Sequence, residues 1–234
     1  MTPQAGDSGA TRRSVARPRP HRWRRLAEGA ERVAGVGEER WPGHAVLQVP
    51  VPALEGFVRA RTRHHDPAYL SPDADHVHAH VTVLGPLPGD GEGVDPETAA
   101  LVAEAVAAVA PFDYRLTRIA TFPDGIIHLV PEPDDGFRAL TARLVEAFPQ
   151  FPPYAGRFGR LADLQPHLTL DLRTDERGDP AERVTEESTR ALLDTFLDRP
   201  LPLACRAERV DLAWYEQHRC RTLASWQLGG RAQL

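Results

Sequence analysis

The chain has 234 residues, 41% apolar and 26% charged, the balance of a soluble globular protein with one large domain or two small lobes. No apolar run reaches the roughly 20 residues that a membrane-spanning helix needs, and Cys205 and Cys220 show neither metal-ligand spacing nor a secreted disulfide pattern. The formal net charge is −5 and all 28 basic residues are arginine. Residues 1–40 hold nine arginines against five acids, while the rest holds 19 against 28. An acidic body excludes a broad nucleic-acid-binding surface and suits a small or terminal phosphate target. Any cation that meets that phosphate must be a guanidinium, whose planar fork matches paired oxygens.

Residues 1–42 read as an Arg- and Pro-rich extension without an apolar period. It lacks the apolar stretch of a secretory signal, so the expected location is cytoplasmic, with no membrane partner. The body starts near Gly43. HAVLQVPV is a strand, and Pro52–Arg63 reads as a helix with Leu54, Phe57 and Val58 at helical spacing. A Pro- and Asp-rich loop follows, then a strand over HVHAHVTVLG. Asp95 and Pro96 open a helix as N-cap and first helical residue. FDYRLTRIATF and IIHLVPEP are strands, DGFRALTARLVEAF is a helix, and an irregular loop leads to a strand over QPHLTLDL. TEESTRALLDTFL is a helix, and two closing strands lie around CRAERVDLAWYEQ and TLASWQLG. Residues 44–85 and 126–172 therefore repeat one series of strand, helix, loop and strand.

Each repeat ends on a His-x-Thr tripeptide, His80-Val81-Thr82 and His167-Leu168-Thr169. In an extended strand, residues i and i+2 share a face, so each tripeptide sets an imidazole beside a hydroxyl. Histidine titrates nearest neutral pH, and of two facing imidazoles one can act as base and the other as acid. The two hydroxyls can hold the non-bridging oxygens of a phosphate. His76 and His78 extend the first motif on the same strand face. With His80 they form a possible metal-ligand set, with Asp171 as a possible further ligand, or else they flank the mouth of the cleft. Tyr154, Arg157 and Arg160 in the loop before the second motif, together with His78, are candidate substrate contacts. His64 and His65 read as surface residues, His128 as facing either way, and Trp214 and Tyr215 as core packing.

The paired tripeptides and their flanks, HAHVTVLGP and FPPYAGRFGRLADLQPHLTL, resemble the 2H phosphoesterase superfamily, specifically its 2′-5′ RNA ligase-like branch of actinobacterial type. The resemblance covers about residues 44–228. It implies an α+β bilobal fold, with two pseudo-symmetric lobes of antiparallel sheet around a V-shaped cleft and helices outside. It also implies His80, Thr82, His167 and Thr169 as catalytic residues. No metal or other cofactor is expected. The expected partner is a cyclic-phosphate nucleotide or an RNA terminus, met by a monomer. The expected reaction is hydrolysis of the cyclic phosphate, or ligation in reverse. A non-catalytic phosphate-binding module and a metal-dependent hydrolase using His76, His78 and His80 are the alternatives.

Overall fold

A computed structural model describes residues 43–156, 161–174 and 183–230. The Arg- and Pro-rich extension, Arg157 and Arg160 lie outside them. The first repeat holds β1 (His44–Pro50), α1 (Glu55–His65) and β2 (His80–Leu87). Next come α2 (Pro96–Ala107) and β3 (Phe112–Thr121). The second repeat holds β4 (Ile126–Glu132), α3 (Asp135–Ala147) and β5 (Leu168–Leu172). The chain closes with α4 (Glu186–Phe196), β6 (Leu203–Ala207), β7 (Arg209–Tyr215) and β8 (Arg221–Gln227). Helix starts follow local chemistry. The Asp95 carboxylate accepts the Thr98 N–H, and Thr185 and Ser188 form a reciprocal capping box at α4.

The eight strands form one antiparallel sheet in the order β6-β3-β4-β5-β2-β1-β7-β8. Its halves are the two lobes of a bilobal α+β fold. β2 and β5 meet at the centre through a single registered pair, Val81 opposite Leu168, whereas β1 and β2 share five. The helices cross between the halves: α1 packs on β5, and α3 packs on β2. Strand alternation sorts the side chains. Leu47, Val49, Val81, Val83, Leu129, Leu168 and Leu170 are almost fully buried beneath the helices. Their neighbours Gln48, His80, Thr82, His128, His167 and Thr169 take the opposite face.

Two features depart from the strands read in the sequence. CRAERVDLAWYEQ is two strands, β6 and β7, separated only by Glu208. In the strand order they lie six steps apart, roughly 29 Å on a flat sheet at about 4.8 Å per step. Two Cα–Cα steps span at most about 7 Å. The sheet must therefore curl until its ends approach, and the Leu228 N–H bonds the Glu208 carbonyl there (2.8 Å). The strand over HVHAHVTVLG begins only at His80. Glu55, the first residue of α1, explains the late start. Its carboxylate accepts the N–H groups of His78 (2.7 Å) and Ala79 (3.0 Å), taking those two donors from the ladder, while the Ala79 carbonyl still accepts the Val51 N–H (2.7 Å).

Candidate active site

The antiparallel register at Val81 and Leu168 sets the two motifs crosswise. One step either way, His80 lies across from Thr169 and Thr82 across from His167. Each threonine of one lobe thus neighbours the histidine of the other. Both motifs are followed by a bulge. In β2, Thr82 pairs with Gln48 while Leu84 already pairs with Leu47. In β5, Thr169 pairs with His128 while Asp171 pairs with Ile127. Gln48 and His128 are therefore equivalent positions, one in each lobe.

Both imidazoles are held by the same device. His80 Nδ1 donates to the His78 carbonyl (2.7 Å), and His167 Nδ1 donates to the Gln165 carbonyl (2.8 Å), each two residues upstream. A neutral ring that donates from Nδ1 keeps its lone pair on Nε2, so that nitrogen of each ring is the one left to accept a proton. Burial lowers the His80 pKa to about 4; its bond to the His78 carbonyl opposes the shift, and the charges of His167 and His78 add to it. The His167 pKa is lowered too, first by burial and then by His128, against the raising effects of the Gln165 carbonyl and Asp124. Mutual repulsion means that protonating one ring disfavours protonating the other. A pair of that kind can share one proton, one ring accepting while the other donates.

Aromatic residues frame the pair. Tyr154 stacks on His167, with centroids 5.9 Å apart and planes 21° apart, and its phenol meets Thr82. Burial raises its pKa to about 12, and the Thr82 contact opposes the rise. It bridges the two motifs from a left-handed backbone conformation, φ 52°, that a tyrosine seldom adopts. Tyr215 is not simply core. Its hydroxyl donates to Gln48 Oε1 (2.8 Å) and lies 3.3 Å from His80 Nδ1. Gln48, fully buried, in turn donates to the Val77 carbonyl (3.1 Å). Trp214 is buried, as read from the sequence.

Several expected site residues take other work. His78 contacts protein on both ring nitrogens: Nδ1 meets Glu55 Oε1 (2.7 Å), and Nε2 accepts the Ser71 N–H (3.1 Å). It braces the backbone under His80 and presents no nitrogen to a phosphate. His76 is 2% exposed and packs edge-on against His78, with centroids 4.7 Å apart. The alternative metal set of His76, His78 and His80 fails on His78, whose two ring nitrogens are both already engaged. Among the described residues no cluster of His, Cys, Asp or Glu is arranged to hold a metal ion. Asp171 is not available as a further ligand either. The β5 bulge turns it to the helix side, where it ion-pairs with Arg61 (2.7 Å), contacts His65 and accepts from Thr189 (3.1 Å). His64 and His65 are exposed, but His65 is one of the partners of Asp171.

The structure also adds residues that no motif revealed. His128 lies on the site face, 5.4 Å from the His167 centroid, and donates from Nδ1 to the Ile126 carbonyl (3.3 Å). Phe122 stacks on His128 at 3.8 Å and meets His167 edge-on at 4.8 Å. A pocket of about 400 Å³ opens beside His167, lined among others by Phe122, Asp124, Tyr154, Asp163 and Gln165. Phe122 and Asp124 both belong to the β3–β4 turn, which the Gly125 N–H closes on the Phe122 carbonyl (2.9 Å). The register pairs His128 with Thr169 as it pairs Gln48 with Thr82.

The family model of the 2′-5′ RNA ligase superfamily matches residues 49–219. The chain belongs to this superfamily, that of the 2H phosphoesterases, and is a phosphoesterase or ligase-like enzyme of that kind. Among solved structures it is similar to LigT of E. coli complexed with 3′-AMP, at 17% identity and a TM-score of 0.45, covering 80% of this chain and 99% of that one. It is also similar to a protein of Thermus thermophilus, at 21% identity and a TM-score of 0.46, with the same coverage. No curated protein matches the chain.

Proposed function

We propose that the protein is a metal-independent phosphoesterase that opens nucleoside or RNA-terminal 2′,3′-cyclic phosphates. The observation that carries this reading is the crosswise pair of His-x-Thr motifs, with both Nδ1 atoms tied to backbone carbonyls. One Nε2 takes a proton from water as the water oxygen attacks phosphorus. The bond from phosphorus to one ribose oxygen breaks, and the other imidazolium protonates that oxygen. The product is a phosphate monoester, and the proton lost by one ring equals the proton taken up by the other. Thr82 and Thr169 donate to the non-bridging oxygens, where charge builds in the transition state. Run in reverse with an RNA hydroxyl in place of water, the same steps join two ends. Because the two rings are held alike, they exchange roles between the two directions.

The test is turnover of 2′,3′-cyclic nucleotides by wild type, His80→Ala and His167→Ala, each with and without EDTA. General acid and base catalysis are each worth about 10²–10⁴-fold, so each substitution should cost at least that much. EDTA should change nothing. Turnover within a few-fold of wild type in either variant contradicts the mechanism.

A further inference from the structure

The two histidines are held by the same kind of bond but by different peptide groups. The His78 carbonyl that accepts from His80 Nδ1 (2.7 Å) belongs to the peptide joining His78 to Ala79. The N–H of that same peptide donates to Glu55 Oε2 (3.0 Å). A peptide is one conjugated unit, so a negative charge at its N–H end makes its carbonyl a stronger acceptor. Glu55 secures the arrangement twice more. The His78 N–H donates to Oε2 (2.7 Å), and the His78 ring, whose Nε2 accepts from Ser71, donates from Nδ1 to Oε1 (2.7 Å). The Glu55 side chain is 25% exposed, so water screens its charge only in part. The second motif is built differently. The Gln165 carbonyl that accepts from His167 Nδ1 (2.8 Å) is followed by Pro166, whose nitrogen carries no hydrogen. No acceptor can act on that carbonyl through the N–H end of its peptide. Among the described residues, the titratable groups around His80 include Glu55 from α1, His167 from β5, Tyr215 from β7, and His76 and His78 just before β2. Burial lowers the His80 pKa; of those groups, His167 and His78 deepen the fall and Glu55 opposes it.

We propose that Glu55 is a positioning residue for the first motif: through the peptide between His78 and Ala79, its carboxylate holds His80 as the Nδ1–H tautomer and strengthens the grip of that ring on a proton, with no equivalent action on His167. A stronger acceptor at Nδ1–H fixes which nitrogen carries the proton and makes Nε2 more basic. The two rings are then alike in placement and unequal in chemistry. The consequence for catalysis rests on the histidine-pair reading, whereas the state of the His80 ring can be read without turnover.

The experiment is heteronuclear NMR of the histidine ring nitrogens at neutral pH on the full chain. It compares wild type, Glu55→Gln and Glu55→Asp, each checked by thermal melting. A ring fixed as one tautomer gives two well-separated nitrogen signals, and mixing of tautomers draws them together. Glu55→Gln removes the charge, so the His80 signals should draw together while those of His167 stay. Glu55→Asp keeps the charge one methylene further back and should move the His80 signals less. Turnover of a 2′,3′-cyclic nucleotide should follow. A hydrogen bond to a charged group is worth about tenfold or more, so kcat should fall by about tenfold in Glu55→Gln with KM nearly unchanged, and stay within a few-fold of wild type in Glu55→Asp. Loss of a charge that favours protonation should also move the limb of the pH profile governed by His80 to lower pH in Glu55→Gln, the other limb staying in place. Unmoved His80 signals in a folded Glu55→Gln overturn the proposal, and so does an equal response of both rings, which marks loosened packing. Where Glu55→Gln fails to fold, Glu55→Asp carries the test, and unmoved His80 signals in it overturn the proposal. A response confined to His80 with no turnover by wild type overturns the catalytic reading and supports the link to Glu55. Normal turnover with unmoved signals overturns the link alone.

Discussion

Asp171 lies two residues beyond Thr169, and its substitution separates structural from chemical roles in β5. Its carboxylate is fully buried and holds three elements together, with Arg61 and His65 from α1 and Thr189 from α4. The Arg61 side chain is only 15% exposed, so its charge depends on that carboxylate for compensation. Asp171→Asn keeps the shape but replaces an anionic oxygen with an amide that cannot accept from a guanidinium. Removing one partner of a buried ion pair costs about 3–5 kcal/mol, because the remaining charge stays buried. The retained carbonyl oxygen of Asn argues for the low end, about 3 kcal/mol. With a urea slope of about 2 kcal/mol/M, the unfolding midpoint should fall by roughly 1.5 M. The assay is urea denaturation followed by circular dichroism, together with kcat/KM for a 2′,3′-cyclic nucleotide under conditions where the variant is folded. Turnover should stay within a few-fold of wild type, since the bulge points Asp171 away from the cleft. A midpoint shift below about 0.3 M refutes the buried-pair argument. An unchanged midpoint with abolished turnover would place Asp171 in the chemistry instead.

Other outcomes follow from the same contacts. The pKa values of His80 and His167 are both lowered by burial, so the pH profile of kcat/KM should be a bell centred below pH 6.5. It falls on the acid side as the base is protonated and on the alkaline side as the acid loses its proton; an optimum above pH 7.5 contradicts the assignment. His76 has its pKa lowered to about 4, chiefly by burial and then by the charges of His78 and His80. The fold favours neutral His76, so this contribution is complete above pH 6.5 and is lost as pH falls toward 4. It amounts to about 3 kcal/mol. The difference in urea stability between pH 7 and pH 4 should shrink by that order in His76→Asn, and an unchanged difference contradicts the sign. Tyr215→Phe leaves the buried Gln48 carbonyl oxygen without its donor, at a cost of about 1–3 kcal/mol. His80 keeps its bond to the His78 carbonyl. Melting should therefore register the change more strongly than KM, and a large KM effect with unchanged melting would make Tyr215 a substrate contact.

Much of the fold is legible in the sequence because one period rules each element. The alternation of Leu47, Val49, Val81 and Val83 with Gln48, His80 and Thr82 determines which face holds the site. Asp95-Pro96 marks a helix start by side-chain chemistry alone. What the sequence hides is long-range. Nothing local shows that Glu55 will take the N–H groups of His78 and Ala79, so the His76-His78-His80 alternation imitates a continuous strand. The bulge after Thr169 inverts Asp171 through its pairing with β4, which the pattern LTLDL cannot express. The break at Glu208 is set by β6 and β7 joining opposite ends of one sheet. Of the candidate site, the four motif residues are readable from spacing and repeat, and Tyr154 is named only for its place in the loop before the second motif. Phe122, Asp124 and His128 arrive through a turn and a strand face whose orientation only the register decides.

The central claim is that His80 and His167 act as one acid/base unit, and a double-mutant cycle tests it most directly. The measurement is single-turnover opening of a 2′,3′-cyclic nucleotide by wild type, His80→Ala, His167→Ala and the double variant. Groups that act together lose their effect together. Each single variant should fall by at least about 10²-fold, with the double variant no slower than the worse single. Losses that multiply in the double variant, or a single variant that keeps nearly full rate, would contradict a shared mechanism.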